Sequence, residues 1–307
     1  MTIRLNWPSQ AEKNLTSIEI YRKVGWNATL DVNNPGTPYA TLAGTATEFI
    51  DAVENLTNNT IYKYWIGAVK GTERLIGAPV MQGFFLDTGP GPQTIKRGDW
   101  AAGYFGTVAK ADFFDTPELK LILPAAQGAM FVYDPVAWHK FVFRGKIFYI
   151  PTSSHNRGTT FNTIYARGMA YGTDDTGRVI PSGQNAAVQD CKVSKAGRTY
   201  RIRLPRTIDD ADSTSSQTHQ NGEWMNTMAR LYGGSLAFSN AGQGAFDTLA
   251  TLSSGTSSNE EGAAMLTPLY TNATGYFAYP YNPMIVTTYN GLTTAVTVYF
   301  VFELVLP

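Results

Sequence analysis

Residues 87–92 read Asp-Thr-Gly-Pro-Gly-Pro, and this stretch decides how the 307-residue chain is organised. Proline fixes φ and lacks an amide donor, while glycine leaves the backbone unrestrained, so neither a helix nor a central strand runs through it. The chain therefore divides into a first unit over 1–88, a Gly/Pro linker over 89–94 and a larger unit over 95–307. With few contacts expected across such a linker, the two units should fold independently.

Upstream of the linker, apolar residues alternate with polar ones in short runs. Ile3, Leu5 and Trp7 do so, as do Ile18 and Ile20; Tyr39–Ala43, Glu48–Asp51, Tyr62–Val69 and Pro79–Leu86 follow. Turn formers separate them: Asn33-Asn-Pro-Gly36, Asn58-Asn59 and Lys70-Gly71. Period-two alternation punctuated in this way predicts an antiparallel sandwich. These residues resemble a fibronectin type III module. Ile3-Arg-Leu-Asn-Trp7 matches its tryptophan-bearing second strand, Ile18-Glu-Ile-Tyr-Arg22 its third, and Leu56 to Tyr64 its leucine-to-tyrosine corner. The resemblance covers residues 1–88 and begins at the second strand, which implies a sheet edge covered by something else.

Composition sets the outer limits. Hydrophobic residues make up 43% and charged residues 16%, enough for packed cores and too apolar for a disordered chain. Lys+Arg 24 balances Asp+Glu 24, so the basic excess that gives a nucleic-acid binder its affinity for phosphate is missing. Aromatic residues at 13%, with 29 glycines, suit twisted sheets and contact surfaces. The N-terminal stretch Met1–Trp7 reads as no secretory leader, and the longest apolar run, Ala295–Leu306, is too short to span a bilayer. The Asn-x-Thr triplets at Asn14, Asn27, Asn55, Asn58 and Asn272 are accordingly read as a by-product of an Asn- and Thr-rich surface.

Downstream, strands mix with helices. Phe141–Ile150 predicts a hairpin turning at Arg144-Gly145, and Cys191–Leu204 a second one turning at Lys195-Ala-Gly197. Thr159–Tyr165 predicts a helix capped at its start, burying Phe161, Ile164 and Tyr165 and stopping near Gly168 or Gly172. In Asn221–Tyr232 the spacing of Trp224, Met228, Leu231 and Tyr232 predicts one buried helical face. Val296–Leu304 predicts a central strand buried on both sides.

Five strings in this unit resemble a domain recurring in large virion and tail proteins of tailed bacteriophages. They are Gly145-Lys146, Tyr171-Gly-Thr-Asp-Asp-Thr-Gly177, Tyr200-Arg-Ile-Arg-Leu204, Gly222-Glu-Trp-Met-Asn226 and Phe302-Glu-Leu304. Met225 is inserted between the usual Trp and Asn, and Phe302 replaces the usual Val. The arrangement also loosely resembles C-type-lectin-like folds. The resemblance implies a mainly β protein with some α: an N-terminal fibronectin type III-like β-sandwich followed by a larger mixed α+β virion structural domain. It implies a structural component of the neck, collar, tail or fibre, located in the virion and assembled in the host cytoplasm. Its partners would be other virion proteins, in a homo-oligomeric or multi-copy assembly, with a host surface glycan as a further contact and neither nucleic acid nor membrane.

The residues carry no catalytic signature. Cys191 is the single cysteine, excluding an internal disulfide, and reads as a core residue. His139, His155 and His219 lack zinc-site spacing. Asp174-Asp175 with Gly177 suggests a calcium loop, but Gly183 stands where an EF-hand needs Glu, so a glycine-ended turn is the better reading. Asp209, Asp210 and Asp212 could hold a weak cation or simply solvate their loop. Tyr276-Phe-Ala-Tyr-Pro-Tyr281 could stack on sugar rings, anchor a partner or cover the core. No catalytic, cofactor-binding or metal-binding residues are therefore assigned and no cofactor is expected. The expectation is a non-enzymatic virion protein. The rivals are a receptor- or glycan-binding fibre component and a polysaccharide-degrading enzyme, the latter disfavoured by the lack of β-helical repeats.

Overall fold

A computed structural model describes residues 2–206, 222–231, 291–293 and 295–307, and the strand backbones of 264–265, 276–279 and 287–289. The chain is mainly β with a few short helices, in antiparallel sheets. It splits into two compact units, one comprising Met1–Thr88 with Asp99–Ala101, the other Gly89–Gly98 with Ala102–Pro307.

The smaller unit contains β1 (Ile3–Asn6), β2 (Ser17–Val24), β3 (Ala40–Ala43), β4 (Glu48–Asp51), β5 (Thr60–Lys70), β6 (Glu73–Ile76) and β7 (Val80–Phe84). β1 and β4 form a two-stranded sheet; the other sheet has the order β3-β2-β5-β6, with β7 also paired to β5. The inward row of β1 (Ile3, Leu5) meets Ile18, Ile20, Tyr62, Tyr64 and Phe84 in one core, so alternation in sequence becomes a two-layer stack. Asp51 is buried in this unit and accepts from Arg22 Nη1 at 2.7 Å, Tyr64 Oη at 2.7 Å and Tyr39 Oη at 3.0 Å. Trp100 returns to the same unit, stacking on Phe85 at 4.8 Å between centroids. A Cβ on Gly83 would lie 2.3 Å from the Trp100 ring, so only glycine leaves it that seat.

The larger unit is built on a seven-stranded antiparallel sheet. Its strands are β8 (Arg97–Gly98), β9 (Ala102–Ala109), β10 (Ala137–Phe143), β11 (Lys146–Pro151), β13 (Lys192–Lys195), β14 (Arg198–Arg203) and β19 (Val301–Leu304). They are ordered β13-β14-β19-β11-β10-β9-β8. A second pair joins β12 (Asn156–Thr159) to β18 (Val296–Val298), and β15 (Ala264–Met265), β16 (Tyr276–Tyr279) and β17 (Thr287–Tyr289) form a small sheet. The helices are α1 (Thr116–Ile122), α2 (Ala125–Gly128), α3 (Phe161–Ala166) and α4 (Glu223–Asn226). Both hairpins turn where positive φ is required, at Arg144-Gly145 and Ala196-Gly197. Thr160 caps α3 by accepting from Thr163 N–H at 3.1 Å, and Gly168 at φ +70° ends the turn. Phe113 anchors the core, stacked on Tyr149 at 4.2 Å and edge-on to Trp138 and Tyr200 at 5.0 Å each. Among the described residues no helix is long and apolar enough to cross a membrane.

Two predicted elements differ. The helix expected over Asn221–Tyr232 is α4 followed by a 3-10 turn, Met228–Leu231, with a break at Thr227. Trp224, Met228 and Leu231 are all buried as the spacing requires, while Asn221 and Tyr232 lie outside the described residues. The break has a local cause: Thr227 Oγ1 donates to Glu223 O at 2.6 Å and Asn226 Nδ2 to Gly222 O at 2.7 Å, so side chains compete for the first turn's carbonyls. The terminal strand is likewise split into β18 and β19. His155 N–H donates to Val298 O at 2.9 Å, and Phe300 N–H donates to His155 Nδ1 at 3.2 Å, which turns the chain from one sheet into the other.

The Gly-Pro segment, expected to be a linker, packs as part of the larger unit. Lys140, with no exposed surface, donates its ammonium to Pro92 O at 2.7 Å and Gly89 O at 3.3 Å and lies 4.8 Å from the Phe105 ring centroid. Tyr149 Oη donates to Pro90 O at 3.1 Å, and Gln93 Nε2 to Gly91 O at 2.7 Å. Gly89 has φ +77°, and a Cβ there would lie 2.3 Å from Tyr149 Oη. Gly89→Ala should therefore destabilise the larger unit by about 1–3 kcal/mol through strain and loss of this seat. Denaturant unfolding checks this; an unchanged midpoint would mean that the segment is a free tether.

Candidate functional site

The described residues bring the five strings singled out in the larger unit's sequence to one neighbourhood. β14 is the hinge of the arrangement. Tyr200 and Ile202 point into the aromatic core, and the alternate residues Arg201 and Arg203 point to the other side. Arg203 is nonetheless fully buried. Its Nη1 and Nη2 grip Glu223 through a two-pronged pair at 2.8 and 2.6 Å, and its Nε donates to Glu303 Oε2 at 2.7 Å. A fourth hydrogen bond runs from Nη1 to Leu204 O at 3.0 Å.

Each partner arrives from a different string. Glu223 opens α4, where Arg206 N–H also donates to its Oε1 at 3.3 Å and Trp224 N–H returns to Arg206 O at 3.0 Å. Glu303 sits on β19, directly opposite Arg201 in the β14–β19 register. Gly172, at φ +68°, lies against the arginine stem: a Cβ there would approach Arg203 Cδ to 2.7 Å and Cβ to 2.8 Å. The Tyr171-Gly172 string is thus read by shape, and the arginine and glutamate strings by charge.

Electrostatics follow from that geometry. Burial drives the Glu303 carboxyl up, but the guanidiniums of Arg203 and Arg206 and the Lys146 ammonium override it and hold the group at about 2. Burial lowers the Arg203 pKa while Glu223 and Glu303 raise it further, with a net upward shift. Lys146 belongs to the Gly145-Lys146 string, so all five contribute.

The outer arginine clamps the same turn. Arg201 donates to Asp174 Oδ1 at 2.5 Å and to Asp190 Oδ1 at 2.9 Å, and Lys192 pairs with Asp190. Asp175 accepts from Thr173 Oγ1 at 2.6 Å and Gly177 N–H at 2.8 Å, closing a turn. The Asp174-Asp175 pair is therefore divided between an ion pair and a turn. No group of three or more His, Cys, Asp or Glu suited to a metal occurs among the described residues.

The remaining candidates are dispersed. Cys191 is buried and its thiol is pushed up to about 12 by burial, the opposite of an activated thiolate. His139 Nδ1 lies 3.0 Å from Tyr104 Oη, and His155 takes Phe300 N–H. His219, Asp209, Asp210 and Asp212 lie outside the described residues. So do Pro280, Tyr281 and the side chains of Tyr276–Tyr279, whose backbone forms β16. Sequence reasoning missed Asp51 and Lys140 as polar centres. A lysine in an apolar strand, Phe141 and Val142 following it, was the available signal for the second.

Chemically, the Arg203 cluster is a lock. Its donors and acceptors are consumed by one another, and they hold β14, β19, α4 and the Tyr171-Gly172 turn at fixed spacing. Comparisons with protein-family models, curated proteins and solved structures return no match.

Proposed function

We propose that this chain is a non-enzymatic structural component of a tailed-bacteriophage virion, contributing to the neck, collar, tail or fibre by contacts with other virion proteins. One observation carries the reading. Four of the five strings that resemble the phage domain meet at Arg203 from two strands, a helix and a turn, and the fifth supplies Lys146, whose charge acts on Glu303, as parts of one fold-defining constellation should. The smaller unit supports the same proposal as a fibronectin type III-like docking or spacer module. Its two-layer strand arrangement fits, and Tyr62 Oη accepts Thr57 N–H at 2.7 Å at the corner before β5. The larger unit is read as the virion domain, loosely C-type-lectin-like.

The test is to purify particles of the phage that encodes this chain, identify their proteins by mass spectrometry and place the chain in an electron-microscopy map. The expected result is multi-copy density matching both units. Absence of the chain from intact particles overturns the proposal. Shortening of host polysaccharide by the purified chain would replace it with the enzyme reading.

A further inference from the structure

Among the described residues, β1 leaves one side of its backbone unpaired. Trp7 N–H donates to Thr47 O at 3.0 Å, continuing the register Leu5↔Phe49 and Ile3↔Asp51. Main-chain groups alternate in direction along an antiparallel strand, so residues 3, 5 and 7 face β4 while Arg4 and Asn6 point their N–H and C=O away from it. Among the described residues β4 is the only strand paired with β1.

The facing sheet also has an uncovered core-facing position. Phe49 of β4 meets Tyr39 edge-on at 6.1 Å, and Asp51 of β4 binds Arg22 of β2 and Tyr64 of β5, while Ile3 and Leu5 of β1 share a core with Tyr62, Tyr64 and Phe84. Val80 sits opposite Tyr64 in the β5–β7 register and so shares its core-facing side. Tyr64 is fully buried, yet Val80 is 40% exposed. An open strand edge in one layer and an exposed core-facing valine in the other leave room for a further strand.

We infer that this edge pairs with the same edge of a second copy of the chain, antiparallel and about a twofold axis near Leu5. The sequence of β1 is self-complementary in that register. Leu5 meets Leu5 of the partner subunit and Ile3 meets Trp7 of the partner subunit on the buried side; Arg4 meets Asn6 of the partner subunit on the exposed side. No like charges oppose one another, and Arg4 already has Glu48 at 3.6 Å. The outward groups of Arg4 and Asn6 would exchange about four main-chain hydrogen bonds with the copy. The result is a four-stranded β4-β1-β1-β4 layer of the isologous type. A strand of four residues gives a weak contact, one that fills at high local concentration, as in a multi-copy assembly. The inference stands on the β1 edge alone and is tested on the isolated full-length chain, so it can fail while the virion reading survives, and the reverse.

Sedimentation of the full chain from micromolar to near-millimolar concentration should show a monomer–dimer equilibrium. Arg4→Pro removes an N–H that faces away from β4, which an edge strand tolerates, and should weaken association at least about tenfold. Val80→Lys, at an already exposed position, should do the same by placing a charge under the added strand. In wild type, amide exchange at Arg4 and Asn6 should slow as concentration rises while Leu5 stays protected throughout; this readout needs no variant to fold. A monomer at every concentration, or dimers indifferent to both substitutions, overturns the inference. So does equal, strong protection of Arg4 and Asn6 at the lowest concentration, which would mean that the chain covers its own edge.

Discussion

Arg203→Met is expected to destabilise the larger unit by about 3–5 kcal/mol, the cost of removing one member of a buried ion pair. The arginine serves two carboxylates, so its loss strands Glu223 at 2% side-chain exposure and Glu303 at 14% with their main counter-charge gone. Arg206 Nη1, 4.0 Å from Glu303, can compensate that group in part. Methionine keeps most of the apolar stem volume against Gly172, so packing loss is a minor part of the effect. Neutralising all three positions together, as Arg203→Met, Glu223→Gln and Glu303→Gln, should recover a substantial share of the loss, because no buried charge then lacks its partner. The measurement is denaturant dependence of amide protection on β14 and β19, which reports the larger unit without averaging over the smaller one. A single variant within about 0.5 kcal/mol of wild type would show that the cluster is hydrated and does not lock the strings together.

How much of this was legible depended on how locally each element is determined. The strands of the smaller unit were readable because one side of each faces a core, which leaves a period-two trace, and because Asn, Gly and Pro mark their ends. β6 was hidden: Glu73-Arg-Leu-Ile76 has Leu75 77% exposed, so it carries no alternation and forms only by zipping onto β5. β9 was hidden by its glycines. Ala102-Gly-Tyr-Phe-Gly-Thr-Val-Ala109 reads as a loop, yet Gly106 at φ +128° lies at the register shift against Lys140/Phe141 and makes the strand possible. α1 did leave a signal, Asp115-Thr-Pro-Glu118, in which Asp115 accepts Glu118 N–H at 2.7 Å. The five strings were visible as strings. That they meet could not be seen, since Gly172, Arg203, Glu223 and Glu303 are brought together by sheet order, which no local pattern encodes. The Gly-Pro segment misled for the same reason. Its composition fits a tether, and what fixes it is a lysine about fifty residues away in the sequence.

The larger unit should also lose stability between pH 6.5 and pH 5, before its carboxylates titrate. His139 and His155 are both buried, and burial pushes their pKa values down from 6.5 to about 4 and about 3, with nearby Asp134 opposing the shift at His155. The geometry explains the resistance to charging. His155 spends Nδ1 on Phe300 N–H, so its own proton sits on Nε2, which has no hydrogen-bond partner among the described residues. The ring is packed against Phe131 at 4.9 Å and Trp138 at 5.2 Å. A second proton would require Nδ1 to abandon Phe300 and would leave a cation among rings that offset only part of its lost hydration. His139 Nε2 is likewise buried without a partner, with Tyr104 at Nδ1. Because these folded-state values are depressed, the unfolded chain takes up protons first as pH falls. Stability is therefore full above about 6.5 and declines below it, by about 2 kcal/mol per histidine at pH 5. Glu303, held at about 2, works in a lower window: its contribution is present above its ordinary value of 4.5 and is lost only as pH falls from there toward 2. The interval from 6.5 to 5 thus belongs to the histidines. Denaturant unfolding at pH 7 and pH 5 should differ by about 4 kcal/mol in wild type. His139→Asn with His155→Asn, which retains a side-chain acceptor at each place, should be less stable at pH 7 and far less sensitive to pH. Nuclear magnetic resonance titration offers an independent check, because both imidazoles should stay neutral at pH 5 in the folded chain. A folded-state titration of either near 6.5 would show that water reaches that ring; at His155 it would also mean that a buried, uncharged imidazole does not hold the turn from β18 to β19.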